Sequence, residues 1–109
     1  MKDPQVFLLN YSGHDISALN EYGKVIYLTK GNAPVFSPDR LMFKIEQILV
    51  ENNFDSGHDY IVPSGSPIIS LVVGLLLSHY NHLTLLIWDA RNRNYKLREL
   101  YYGSDRQIN

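Results

Sequence analysis

Apolar runs separated by short polar, glycine- and proline-bearing breaks predict the order strand, helix, strand, helix, strand, helix, strand, strand. Residues 5–10 (Gln-Val-Phe-Leu-Leu-Asn) form one continuous apolar run ending in turn residues. That is the pattern of a strand covered on both faces, and therefore of an interior one. After the turn Tyr11-Ser12-Gly13-His14, residues 15–23 predict a short helix stopped by Gly23, with Ile16 and Leu19 spaced toward the core. A second strand follows at 24–29, and Gly31, Asn32 and Pro34 make 30–36 a loop.

The second helix is announced by Ser37 as N-cap, Pro38 at the first helical position and Asp39 in the first turn. Leu41, Ile45, Ile48 and Leu49 give it one apolar face, and it ends near Asn52-Asn53. Residues 54–59 read as a polar turn before a short strand, Tyr60-Ile61-Val62. The break Pro63-Ser64-Gly65-Ser66-Pro67 then repeats the serine-proline start and opens a third helix expected to reach about Tyr80. From Ile68 to Leu77 that helix is apolar on all sides, far short of the ~20 residues a membrane span requires. It calls for cover on more than one side, by the sheet and by a further helix or a second subunit, which points to a homodimer. Residues 83–88 are the most strand-like run, and 95–102 an edge-like strand paired antiparallel with it.

This order implies an α/β fold with a mainly parallel sheet and a C-terminal hairpin. The chain reads as one domain over 1–109, with 103–109 a loose tail. Ligands of such sheets sit beyond the strand C-termini, where both Ser-Gly turns are expected. A helix N-terminus there offers unpaired N–H groups and about half a positive charge, and glycine lets an anion come close to the backbone.

Composition narrows the ligand. A net charge of -1 argues against a general DNA or RNA coat, so a phosphate-bearing partner would be small. With no cysteine, thiolate zinc sites and cysteine nucleophiles are excluded. The N-terminus has no secretion-signal pattern, so a cytoplasmic location is expected. Neither turn matches the Walker or Gly-x-Gly-x-x-Gly pattern, which removes support for triphosphate and dinucleotide binding.

Several side chains carry candidate chemistry, each beside a plainer role. Ser64, Gly65 and Ser66 suit a phosphate, and equally suit an ordinary capped helix start. His14 can donate to a phosphate oxygen or protonate a leaving alkoxide, or be a solvated turn histidine. A Ser-His-Asp hydrolase finds little support because the nucleophile elbow is absent. His79 and His82 stand three apart, but no third ligand is evident and placement at a helix C-terminus accounts for them. Arg91, Arg93, Lys96 and Arg98 lie beside Trp88, Tyr95, Tyr101 and Tyr102, a surface able to hold phosphates and stack bases, or a hairpin edge guarded by charge.

Taken together, the turn Asn10-Tyr11-Ser12-Gly13-His14, the turn Val62-Pro63-Ser64-Gly65-Ser66-Pro67 with its apolar helix, and the run Leu85-Leu86-Ile87-Trp88-Asp89-Ala90-Arg91 resemble the small stand-alone CRISPR-associated Rossmann-fold (CARF-like) proteins. The resemblance implies a Rossmann-like domain that binds a cyclic oligoadenylate, most simply the tetra-adenylate, across a homodimer. It would lower the free messenger in type III CRISPR signalling by sequestration, by slow metal-independent ring cleavage, or both. Asn10 through His14, Ser64 through Pro67, and Arg91 and Arg93 would contact the ligand, with His14 the candidate general acid and no cofactor, DNA or membrane involved. Neither turn carries a lysine or arginine to stabilise developing charge, which weighs against cleavage more than binding. Two other classes stand beside this one: a protein-interaction module without a nucleotide, and a small phosphoesterase.

Overall fold

The computed structural model describes residues 2–103, so most of the tail expected at 103–109 lies outside the described residues. Five strands, β1 (Gln5–Leu8), β2 (Lys24–Tyr27), β3 (Tyr60–Val62), β4 (His82–Asp89) and β5 (Asn94–Tyr101), form one sheet in the order β2-β1-β3-β4-β5. Two α-helices, α1 (Pro38–Glu51) and α2 (Pro67–Leu76), connect β2 to β3 and β3 to β4. The fold is therefore α/β with a mixed sheet. Pairings β1–β2, β1–β3 and β3–β4 are parallel, while the long β4–β5 ladder is antiparallel.

The continuous apolar run of β1 is explained by its position between β2 and β3, where Val6, Phe7 and Leu8 are fully buried. Phe7 and Ile61 face a core filled by Leu41, Ile45 and Leu49 of α1 and by Ile69, Val72 and Val73 of α2. Val6, Leu8, Val62 and Leu86 face the other way, onto Leu19 and a rim of partly buried tyrosines. Both α-helices thus lie on one face. The expected first helix is only a 3₁₀ turn, Ser17–Glu21, too short to cover the opposite face.

The helix starts follow their sequence signals, with one difference. Ser66 caps α2 by accepting from the Ile68 N–H at 3.2 Å, whereas the Ser37 hydroxyl makes no capping bond at α1. α2 ends at Leu76 rather than near Tyr80, because the chain tightens there: the Tyr80 N–H donates to the Leu77 carbonyl and its hydroxyl to the Phe54 carbonyl. No helix among the described residues is long and apolar enough to cross a membrane.

Residues 54–59, expected to be a polar turn, contain a fully buried carboxylate. Asp59 accepts from the Gln5 and Asp55 backbone N–H groups at 3.0 and 2.8 Å and pairs with the Lys2 ammonium, tying the start of β1 to the loop before β3.

Candidate functional site

Since β1 and β3 are neighbours, the turns that follow them meet. The Asn10 N–H donates to Ser64 Oγ, and that hydroxyl donates back to the Asn10 carbonyl, both at 2.9 Å. The Asn10 side-chain amide in turn donates to Thr29 Oγ1 and the Gly31 carbonyl, so this nearly buried asparagine joins the turns after β1, β2 and β3. Gly65 is what lets the turns close. Its φ is +82°, and a Cβ there would lie 2.6 Å from Asn10 Cβ.

This clasp divides the C-terminal edge of the sheet into two hollows. On the helix face, Asn10 and Ser66 line a hollow with Gly31, Phe36 and Ile69. On the face of the 3₁₀ turn lies the larger cleft, about 610 Å³, where Leu8, Val62, Pro63, Trp88 and Tyr95 supply apolar walls and His14, Asp15, Ser64 and Arg93 supply polar groups. It sits where the connection leaving β1 and that leaving β3 diverge to opposite faces, the usual position for a ligand in an open α/β sheet.

The walls are built by packing between neighbours. Trp88 and Tyr95 are directly paired across the β4–β5 ladder, and their rings meet edge to face at 5.0 Å. Ser12 Oγ lies 3.2 Å from His14 Nδ1, and Tyr11 stacks on Tyr27 at 4.8 Å, which anchors the turn after β1. Asp15 accepts from the Ser17 N–H at 2.9 Å. That backbone bond, with the Ser17 hydroxyl and the nearby His14, holds its carboxyl below the ordinary 3.8. Burial pushes the Tyr95 hydroxyl above 10.0, with the Asp15 charge adding to it.

Arg93 reaches the cleft from the four-residue β4–β5 connection with φ +53°, a left-handed backbone in a residue that bears a side chain. Arg91 does not line the cleft. Its N–H donates to Asp89 Oδ1 at 3.1 Å within the hairpin turn. Of the residues singled out in the sequence, His14, Ser64 and Arg93 therefore come together in one cleft, Asn10 and Ser66 meet on the other side, and Gly65 and Pro67 shape the turn between them. The Ser64 and Ser66 hydroxyls already serve the clasp and the helix cap. Sequence reasoning took in Asp15 only as the neighbour of His14, and passed over the strand-end residues Leu8 and Val62, whose only signal was their position at the C-terminal ends of strands. His82 stacks on Tyr101 at 4.5 Å, and no group of histidines and carboxylates among the described residues is placed to hold a metal.

The family described as Phage Pam3 gp32-like protein matches residues 6–101. No curated protein and no solved structure matches. The family match overturns the resemblance to CARF-like CRISPR proteins, and with it the cyclic-oligoadenylate function: the chain groups with a phage protein rather than a CRISPR sensor. The resemblance rested on short Ser-Gly turns, which the structure uses for a clasp and a cap, tasks common to many α/β folds.

Proposed function

Because the chain belongs to the Phage Pam3 gp32-like protein family, we propose that it is a phage binding protein whose cleft takes a small, flat, partly apolar molecule bearing one anionic group. The flat part lies against Trp88 and Tyr95, over Leu8 and Val62, and the anion meets the Arg93 guanidinium, with His14 as a further donor. In this reading the sheet is Rossmann-like in one respect, the use of the strand C-termini beside a reversal of strand order. A cytoplasmic site of action belongs to the same proposal.

The observation that carries it is Arg93. A side chain in left-handed backbone costs about 1–2 kcal/mol that glycine would avoid, yet a cation stands there at the rim of an apolar cleft. Left-handed backbone recurs at Asn53 after α1, so the conformation by itself marks no site; the cation at the rim of the apolar cleft is what supports the reading.

Trp88 is the sole tryptophan, so its fluorescence reports occupancy of the cleft directly. Naphthalene-2-sulfonate is expected to quench it saturably, and the cationic naphthylmethylammonium to bind far more weakly. Loss of a charged hydrogen bond worth about 1.5–3 kcal/mol makes Arg93→Gly bind the sulfonate about 10- to 100-fold more weakly, without loss of stability. Equal binding of both probes, or of the sulfonate to wild type and Arg93→Gly, refutes the reading.

A further inference from the structure

The face of α2 turned away from the core is apolar and uncharged. Leu71 and Leu75 are 69% and 65% exposed, Ile68 is partly exposed beside them, and α2 contains no charged residue. Two strips of opposite charge flank it. On one side α1 presents Asp39, Phe43, Glu46 and Val50 at helical spacing, all exposed, and Glu46 and Val50 share a groove with Leu76 and Leu77 at the end of α2. On the other side lies the hairpin. Leu83 and Leu85 pack on the helix-side core, so their ladder partners Leu100 and Arg98 point to that same side, with Ile87 and Lys96 next along. Lys96 lies 4.0 Å from Asp89, whereas Arg98 forms no salt bridge among the described residues.

Across this surface the charge therefore runs negative, neutral, positive. A two-fold axis parallel to α2 reverses that order, laying α2 on α2 and the hairpin of each copy over α1 of the other. We propose that the protein forms a homodimer through this face, with the two α2 helices parallel and Arg98 of one protomer opposite Glu46 of its partner. The exposed apolar side chains offer on the order of 700 Å², near the ~800 Å² per partner of a stable interface and above the largest patch of a typical monomer. The acidic strip opposes an anionic membrane as occupant, and the antisymmetric charge is what a second copy satisfies. Gly74 adds room, since a Cβ there would meet nothing within 4 Å.

Light scattering and sedimentation of the full chain test this directly. A dimer is expected at about 50 µM, and Leu71→Glu should raise its dissociation constant at least about tenfold with an unchanged circular dichroism spectrum. Glu46→Arg alone should weaken the dimer several-fold, and adding Arg98→Glu should restore it. The chain has no cysteine, so Ile68→Cys and Leu75→Cys, both within α2 and exposed on this face, give clean single-site cross-links. With α2 parallel, both variants cross-link to themselves under oxidation, although the positions lie ~10 Å apart along the helix. A monomer at that concentration, a dimer indifferent to Leu71→Glu, absence of rescue by the double exchange, or self-cross-linking at only one of the two positions overturns the proposal.

Discussion

Replacing Asp59 tests the account of the fold where it makes its sharpest demand, a fully buried carboxylate. Asp59→Ala removes the acceptor of two backbone N–H groups, those of Gln5 and Asp55, and the partner of Lys2. A buried donor left without its acceptor costs about 1–3 kcal/mol. Lys2 is 27% exposed at its side chain, so its ammonium can turn toward water and adds little to the loss. The expected cost is about 3–5 kcal/mol, a large part of the ~5–15 kcal/mol that holds a domain together. At this chain length that lowers the melting temperature by roughly 12–30 °C. Asp59→Asn, which keeps one acceptor oxygen, should cost about half as much, and Lys2→Ala about 1 kcal/mol or less. Urea unfolding followed by far-ultraviolet circular dichroism measures all three. A cost below about 1 kcal/mol for Asp59→Ala, or a Lys2→Ala cost equal to it, would refute the reasoning, since the two backbone donors would then not depend on Asp59.

Two further outcomes follow from the same geometry. Gly65→Ala combines a left-handed backbone with a Cβ 2.6 Å from Asn10 Cβ, so it should destabilise by about 2–4 kcal/mol and weaken the cleft by opening the Asn10–Ser64 clasp; thermal melts and Trp88 fluorescence check both, and a wild-type melt would argue against the clasp. Acid should also lower stability through Asp55, held below 3.8 chiefly by the Gly57 N–H and then by His58, and through Asp89, held down chiefly by Asn92. Their folded pKa values lie below the unfolded one, so the contribution is complete above 3.8 and is lost as pH falls from there through the folded values. Carboxyl NMR titration and urea midpoints across that window are the measurement, and a pH-independent midpoint would contradict it.

Much of the architecture was legible because its signals are local. The apolar run of β1, the Leu41, Ile45 and Leu49 stripe of α1, the Ser66-Pro67 helix start and the terminal hairpin all follow from contacts within one turn or one strand pair. The meeting of the first and third turns was legible too, since both were expected beyond strand C-termini. Their chemistry was not: a Ser-Gly turn looks the same in sequence whether its hydroxyl awaits a ligand or, like Ser64, bonds to the backbone of Asn10. That ambiguity let short turns suggest a CRISPR family to which the chain does not belong.

The sequence by itself determined the element order, the uncharged character of α2 and the exclusion of thiol chemistry. Only the tertiary structure decided that both α-helices cover one face, that Asp59 in a polar-looking loop is buried, and that Arg93 comes to stand with His14 in one cleft. The reason is range. Propensity and periodicity report on neighbours a few residues away, whereas Asp59 takes its place from Gln5, 54 residues earlier in the chain, and Arg93 from a hairpin whose position depends on the whole sheet.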